Sequence, residues 1–222
     1  MKKQGGRTVL LERPPIIISN AAVVGPKEAE GPLAKEFDYK FDDSMMGEKS
    51  WEKAESKMQK IAVETALKKA ELSSKDVDII FAGDLLNQCI ASSFDIRDLN
   101  IPFIGLYGAC STMALSLINA SVFVAAGGAK RAVSVTSSHF CSAERQYRFP
   151  LEFGNQRQAY SQWTVTGAGC FVLDKNTQDL PKLSKVCFGI VVDYGVIDIA
   201  NMGAAMAMAA VETLTAFLKD TN

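Results

Sequence analysis

The sequence of residues 101–136 is IPFIGLYGACSTMALSLINASVFVAAGGAKRAVSVT. Its first part, 101–107, is apolar and predicts a strand, and the uncharged stretch 110–126 predicts a helix. Residues 131–136 predict a second strand. A strand, a helix and a strand at this spacing form a βαβ unit with parallel strands and a right-handed crossover. Because the helix is apolar nearly all round, we expect it to be buried on all sides.

The rest of the chain extends this unit in both directions. Ser50 is a candidate N-cap, and Glu52 and Glu55 follow where negative charge suits the helix dipole. We expect a long loop over residues 25–47, which is the kind of segment that often carries function. Further strands are predicted at 16–18, 77–82, 165–173 and 183–192, and further helices at 51–70, 91–99 and 203–218. The fold class is therefore α/β with a mostly parallel sheet.

Composition excludes several classes of protein. The chain has 222 residues, of which 48% are hydrophobic and 22% charged, as in ordinary globular domains. With 24 basic and 25 acidic side chains there is no overall attraction to nucleic acid, so we expect no nucleic-acid partner. Five widely spaced cysteines and a single histidine offer no metal-ligand cluster. No phosphate-binding or dinucleotide-binding glycine motif is present, and we expect neither a metal nor a cofactor.

The uncharged stretch 99–129 raises the question of a membrane span. Pro102, Gly105 and Gly108 interrupt it, and its helical part is shorter than the roughly 20 apolar residues that a span needs. The apolar run near Met1 is too short for the core of a signal peptide. We therefore expect an intracellular protein with no transmembrane segment and no signal peptide.

Cys110 is the strongest candidate for chemistry. It follows the end of a strand, in Gly108-Ala109-Cys110-Ser111-Thr112, where a helix begins. Free backbone N–H groups at a helix start stabilise a thiolate, and they also bind an oxyanion or a carboxylate. The alternative is a structural cysteine in a tight turn, because free cysteine is often buried.

Four other polar residues are placed near the same sheet edge. Asp84 follows the strand predicted at 77–82, and His139 follows the second strand of the βαβ unit. Open α/β sheets bind ligands beyond the carboxyl ends of such strands. Arg145 and Arg148 lie one helical turn apart and could bind carboxylates in bidentate fashion. The alternatives are a turn or cap aspartate, a packed histidine, and a solvated Glu144–Arg148 pair.

The chain resembles the thiolase superfamily over nearly its whole length. The segments that carry the resemblance are 25–28, 82–88, 107–112, 136–139, 143–146 with Arg148 and Pro150, 164–169 and 193–195. The superfamily fold has two similar halves in α-β-α-β-α layers. The resemblance implies that residues 1–175 form the first half and residues 176–222 a truncated beginning of the second.

The resemblance is strongest to a noncatalytic sporulation branch of that superfamily. It implies a protein that binds dipicolinic acid, free or as the calcium chelate, for uptake into the developing spore. It also implies membrane protein partners from the same operon, peripheral association with the spore inner membrane, and a homodimer formed through the edge of the first half. The ligand site would include Asp84, Cys110, His139, Arg145 and Arg148.

Two other functions stay open. Cys110 matches the superfamily's nucleophile position, so a condensing or acyl-transfer enzyme is the first alternative. His139 does not match a catalytic histidine of that superfamily, and one histidine cannot build its double-histidine arrangement, so a binding protein is favoured over an enzyme. Asn201-Met202-Gly203 departs from the Asp-Met-Gly that the resemblance leads us to expect. The second alternative is a structural platform for the membrane complex.

Overall fold

The computed structural model describes residues 1–85, 89–145, 164–176, 178–197 and 201–222, with the backbone alone at 95, 144, 145 and 202. Its strands are β1 (Lys2–Gln4), β2 (Thr8–Leu10), β3 (Ile16–Val24), β4 (Tyr39–Lys40), β5 (Ile79–Asp84), β6 (Phe103–Leu106), β7 (Arg131–Ser138), β8 (Gly167–Asp174) and β9 (Lys185–Cys187). Its helices are α1 (Pro26–Ala29), α2 (Trp51–Lys69), α3 (Ile90–Ile96), α4 (Thr112–Ala125), α5 (Phe140–Arg145) and α6 (Met202–Thr221).

The central sheet confirms the α/β class and the predicted βαβ unit. Six strands lie in the order β4-β3-β8-β7-β5-β6. β5 pairs in parallel with both β6 and β7, and β3 pairs in parallel with β4. β8 lies between β3 and β7 and is antiparallel to both, so the sheet is mixed. The parallel strands β6, β5 and β7 therefore end at one common edge.

Helix α2 covers one face of this sheet. The Ser50 hydroxyl accepts a hydrogen bond from the Lys53 N–H at 3.3 Å, which confirms the predicted N-cap. Met58, Ala62 and Ala66, spaced one turn apart, are fully buried against the sheet. The hydrophobic core between α2 and the sheet is the larger of the two cores.

Helix α4 covers the opposite face, and the expectation that it is buried on all sides is wrong. Its buried residues, including Ser116 and Ala120, face the sheet, and the Ser116 hydroxyl lies 2.8 Å from the Ser134 hydroxyl. Phe123 is 36% exposed, so α4 is not enclosed on all sides by the described residues. Within the described ranges, none of the helices has the length and apolar character to cross a bilayer.

A second, smaller sheet joins the two ends of the chain. β2 lies between β1 and β9 and is antiparallel to both. The strand predicted at 183–192 is wrong in extent, because among the described residues β9 pairs with the short β2 alone and no strand continues over 189–197. The predicted boundary between residues 175 and 176 stays a prediction.

Helix α6 packs on this small sheet through charged contacts. The Arg7 guanidinium donates to both carboxylate oxygens of Glu212, at 2.7 and 2.8 Å. The Asp220 carboxylate accepts the backbone N–H groups of Gly6, Arg7 and Thr8 at 2.8, 2.8 and 3.0 Å. These three N–H groups hold the pKa of Asp220 at about 2.

Candidate functional site

The carboxyl ends of β5, β6 and β7 bring the predicted site residues to one edge of the sheet. Asp84 is the register partner of Ser137, and Gly83 is the register partner of Leu106. Cys110 follows the end of β6 and His139 follows the end of β7. The strand-end argument therefore places Asp84, Cys110 and His139 on the same edge, although their side chains differ in surroundings.

Cys110 lies exposed in a 3-10 turn, Ala109–Ser111, just before α4. Ala109 has a φ of 46°, a left-handed conformation that is unfavourable for alanine and is often found at functional sites. The Thr112 hydroxyl fixes the turn, since it accepts from the Gly108 N–H at 3.1 Å and donates to the Ala109 carbonyl at 2.7 Å. The thiol is thus presented to solvent on a strained turn held by hydrogen bonds.

Gly83 allows this turn to approach β5 closely. A β-carbon at Gly83 would lie 2.3 Å from both the Leu106 carbonyl oxygen and the Thr112 methyl group. Any larger residue would push the end of β6 and the start of α4 away from β5. The absence of a side chain at Gly83 therefore allows the Cys110 turn to lie close to the end of β5.

Asp84 is fully buried and bonds to the beginning of α3. Its Oδ2 accepts the backbone N–H of Ser92 at 2.9 Å and the Ser92 hydroxyl at 2.8 Å. This arrangement is typical of an aspartate that fixes a helix start. Cys89, which follows the part of this connection outside the described residues, has a φ of 51°. Asp84 thus sets the placement of α3 beside the Cys110 turn.

His139 is also fully buried, and its ring contacts the 25–47 segment. Its Nε2 lies 2.7 Å from the Ser44 carbonyl oxygen, and its Nδ1 accepts the Cys141 N–H at 3.2 Å. The ring is therefore neutral with its proton on Nε2, and burial lowers its pKa. The only histidine of the chain tethers the loop around Ser44 to the sheet edge.

The two predicted arginines cannot be placed by contact. Arg148 lies outside the described residues, and Arg145 is described by its backbone alone, at the end of α5. Their roles in ligand binding, like those of the other predicted site residues, stay predictions.

Sequence reasoning missed a buried acid under this edge. Glu55 is fully buried on α2, where its Oε1 accepts from the Ser137 hydroxyl at 2.8 Å and its Oε2 from the Ser142 hydroxyl at 2.9 Å. Desolvation, and to a lesser extent the nearby Asp84 charge, raises the pKa of Glu55 to about 7. The sequence could have indicated this buried acid, because Glu55 and Gln59 lie one turn apart on the face of α2 that also carries the buried Met58.

Gln59 connects Glu55 to Asp84. The Gln59 amide nitrogen lies 2.8 Å from the Ser137 hydroxyl, 2.8 Å from the Gly83 carbonyl and 3.1 Å from the Ser92 hydroxyl. Ser92 in turn donates to Asp84. We call the set Glu55, Gln59, Asp84, Ser92, Ser137 and Ser142 the buried polar network. It links α2, α3 and α5 to the ends of β5 and β7.

The described residues of this edge form no metal centre. Among the described residues, no group of three or more histidine, cysteine, aspartate and glutamate side chains is placed to hold a metal ion. The chemistry available at the edge is that of an exposed thiol, backbone N–H groups and buried carboxyl groups.

Comparison with known proteins gives one family and one fold. The family model for stage V sporulation protein AD matches residues 5–222. Stage V sporulation protein AD of Bacillus subtilis strain 168 is 41% identical over 222 residues, which are 100% of this chain and 65% of that protein. The chain therefore spans less than two thirds of the length of the relative that it matches.

Solved structures support the thiolase-like fold. An OleA variant of Xanthomonas campestris, bound with cerulenin, has a TM-score of 0.60 at 15% identity and covers 94% of this chain and 71% of its own. The 3-oxoacyl-[acyl-carrier-protein] synthase III of Aquifex aeolicus has a TM-score of 0.51 at 16% identity, over 74% of this chain and 55% of its own. At these identities the likeness establishes the fold alone, and it confirms the predicted one.

Proposed function

Because the chain belongs to the stage V sporulation protein AD family, we propose that this sporulation protein binds dipicolinic acid at the carboxyl edge of its sheet, free or as the calcium chelate. It does so for uptake into the developing spore. Membrane proteins of the same operon are its partners, and it associates peripherally with the spore inner membrane.

The Cys110 turn is the observation that carries this proposal. It presents an exposed small side chain and backbone N–H groups before an uncharged helix, α4. Such N–H groups favour a planar dicarboxylate ligand, and a helix start favours negative charge. Arg145 and Arg148, which follow β7 in sequence, are the cations that we assign to the second carboxylate.

The single histidine favours binding over catalysis. A thiol nucleophile needs a neighbouring base that accepts its proton. Both ring nitrogens of His139 are already engaged, one with the Ser44 carbonyl and one with the Cys141 N–H. His139 therefore offers no ring nitrogen to Cys110, and we assign it a structural role at the edge of the site.

Calorimetric titration of the chain with dipicolinate, with benzoate as the control ligand, tests this proposal. Cys110→Ala should weaken binding only modestly, because the thiol is not used covalently. Cys110→Trp should abolish binding, because the indole fills the space before α4. Arg145→Ala should lose about 1.5–3 kcal/mol if a charge-assisted bond is lost. Unchanged binding by Cys110→Trp would place the ligand elsewhere.

A condensing or acyl-transfer enzyme is the second candidate, and the strained, exposed Cys110 turn is the observation that favours it. Incubation with acetyl-coenzyme A followed by intact-mass measurement separates the two functions. A stable acetyl adduct that disappears in Cys110→Ala would favour the enzyme. Dipicolinate binding without any adduct would favour the binding protein.

The homodimer is part of the same proposal, and β6 is the edge that we assign to it. β6 is the last strand of the central sheet, so its outer backbone groups have no strand partner among the described residues. Phe103 and Ile104 are each 39% exposed on it, and Tyr107 just beyond it is 48% exposed. An edge with exposed apolar side chains favours pairing with a second copy.

A further inference from the structure

Glu55 makes none of the ligand contacts proposed above, but it lies next to the end of β7, at the same edge of the sheet. Its carboxyl group is fully buried between α2, β7 and α5. We propose that Glu55 is a proton-dependent positioning residue. As a neutral acid it holds α3 and α5 in place at the carboxyl ends of β5 and β7, and its ionisation loosens both helices and weakens the ligand site.

The hydrogen bonds around Glu55 satisfy the neutral acid completely. Ser137 accepts from Gln59 and donates to Oε1 of Glu55. A proton on Oε2 is donated to the Ser142 hydroxyl, which lies 2.9 Å away. The Ser142 hydroxyl then turns its own proton to the His139 carbonyl oxygen, at 3.1 Å. With its proton in place, the Glu55 carboxyl group therefore has a partner at each oxygen, and Ser137 and Ser142 each donate and accept.

None of the described side chains supplies a cation to the ionised form. Among the described side chains, the charged groups that act on Glu55 are Asp84 at the end of β5 and Glu52 on α2, and both are acidic. β7 and α5 contribute the neutral Ser137 and Ser142. Loss of the proton therefore leaves an unpaired charge in a buried site that already contains the Asp84 carboxyl group, which is costly.

The electrostatic cost of an ionised Glu55 acts on α3 and α5, because both helices are hydrogen-bonded to the network around it. Ser142 lies on α5 and connects that helix directly to Glu55. Ser92 lies on α3 and connects it, through Gln59 and Ser137, to the same carboxyl group. Ser92 also donates to Asp84. Repulsion between the ionised Glu55 and Asp84 therefore weakens the hydrogen bonds that connect Glu55 to Ser92. The raised pKa of Glu55, about 7, places the change near neutral pH.

Hydrogen exchange measured between pH 6 and pH 8.5, normalised for the intrinsic pH effect, tests the positioning role. In the wild type, peptides covering α3 and α5 should exchange about tenfold faster at the higher pH, since each pKa unit is a factor of ten. Glu55→Gln, which is neutral at every pH, should show no such change. Glu64→Gln, an exposed site on the same helix, is the matched control and should behave as the wild type.

Ser142→Ala provides a second variant should Glu55→Gln fail to fold. It removes a charge-assisted bond to the ionised form and only a weaker, neutral bond to the protonated form, so the exchange midpoint should move to higher pH. An unmoved midpoint in Ser142→Ala, or an equal pH response in the wild type and Glu55→Gln, would overturn the proposal.

The effect on the ligand rests on the proposed function, and dipicolinate titration at the same pH values separates the two. Wild-type affinity should fall about tenfold between pH 6 and 8.5, and Glu55→Gln affinity should stay constant. Equal falls in both proteins would overturn the positioning role. No binding at any pH, together with the Glu55-dependent exchange profile, would instead overturn the dipicolinate proposal and leave the positioning role standing.

Discussion

Replacement of Glu55 by glutamine should stabilise the protein in alkaline solution and have little effect in acid. The pKa of Glu55 is raised from 4.5 to about 7, so the folded state binds its proton more tightly than the unfolded chain does. The stabilisation from that proton is fully present below pH 4.5 and is lost as the pH rises through about 7. At about 1.4 kcal/mol per unit, the loss amounts to about 3 kcal/mol.

Urea unfolding monitored by circular dichroism at several pH values between 5 and 8.5 measures this difference. The free energy of unfolding of Glu55→Gln, minus that of the wild type, should rise by about 2.5 kcal/mol over this range, because part of the loss has already occurred at pH 5. The rise should be centred between pH 5 and 7. In Glu64→Gln, where the replaced carboxylate is exposed, the difference should stay flat. Parallel curves for the wild type and Glu55→Gln would refute the assignment of a buried, protonated acid.

Three further outcomes follow from contacts described above. Asp220→Asn should lower the free energy of unfolding at neutral pH. Because the pKa of Asp220 is lowered in the folded state, the difference from the wild type should shrink as the pH falls toward 2, and acid titration of both proteins measures this. Met58→Ala should cost about 2–5 kcal/mol in urea unfolding, because Met58 is fully buried in the main core. Ile104→Glu should halve the sedimentation mass if β6 forms the dimer, whereas Leu214→Glu, at an exposed α6 position, should leave the mass unchanged.

The longer helices and the parallel core of the fold could be predicted from local pattern, whereas the short helices α1 and α5 were missed. The amphipathic spacing of α2 and its Ser50 cap gave nearly the observed bounds, and the glycines around 110–126 separated β6, α4 and β7 correctly. The antiparallel insertion of β8 could not be predicted, because strand order depends on pairing between distant segments. The β1–β2 hairpin was missed for the same reason, since its three-residue strands are stabilised by β9 and α6.

The sheet positions of the candidate residues could be predicted from the sequence, but their surroundings could not, and the ligand site itself stays a prediction. Strand-end logic located Asp84, Cys110 and His139 at one edge, yet it could not show which of them faces solvent. The structure buries Asp84 on Ser92 and His139 on Ser44, because both side chains satisfy backbone groups of neighbouring elements. Glu55 was assigned to the helix dipole from its place near the start of α2. Its actual partners, Ser137 and Ser142, are more than 80 residues away in the chain.

The position of β8 in the sheet has a consequence for the growing polypeptide. β3 is made early, at residues 16–24, but the neighbour that joins it to the rest of the sheet is β8, at residues 167–174. Until β8 leaves the ribosome, β3 and the β7-β5-β6 group each have an open edge, and such edges are prone to misassociation. Contacts between such distant segments also form slowly. We therefore expect nascent chains that end before residue 167 to be the species that depends on chaperones.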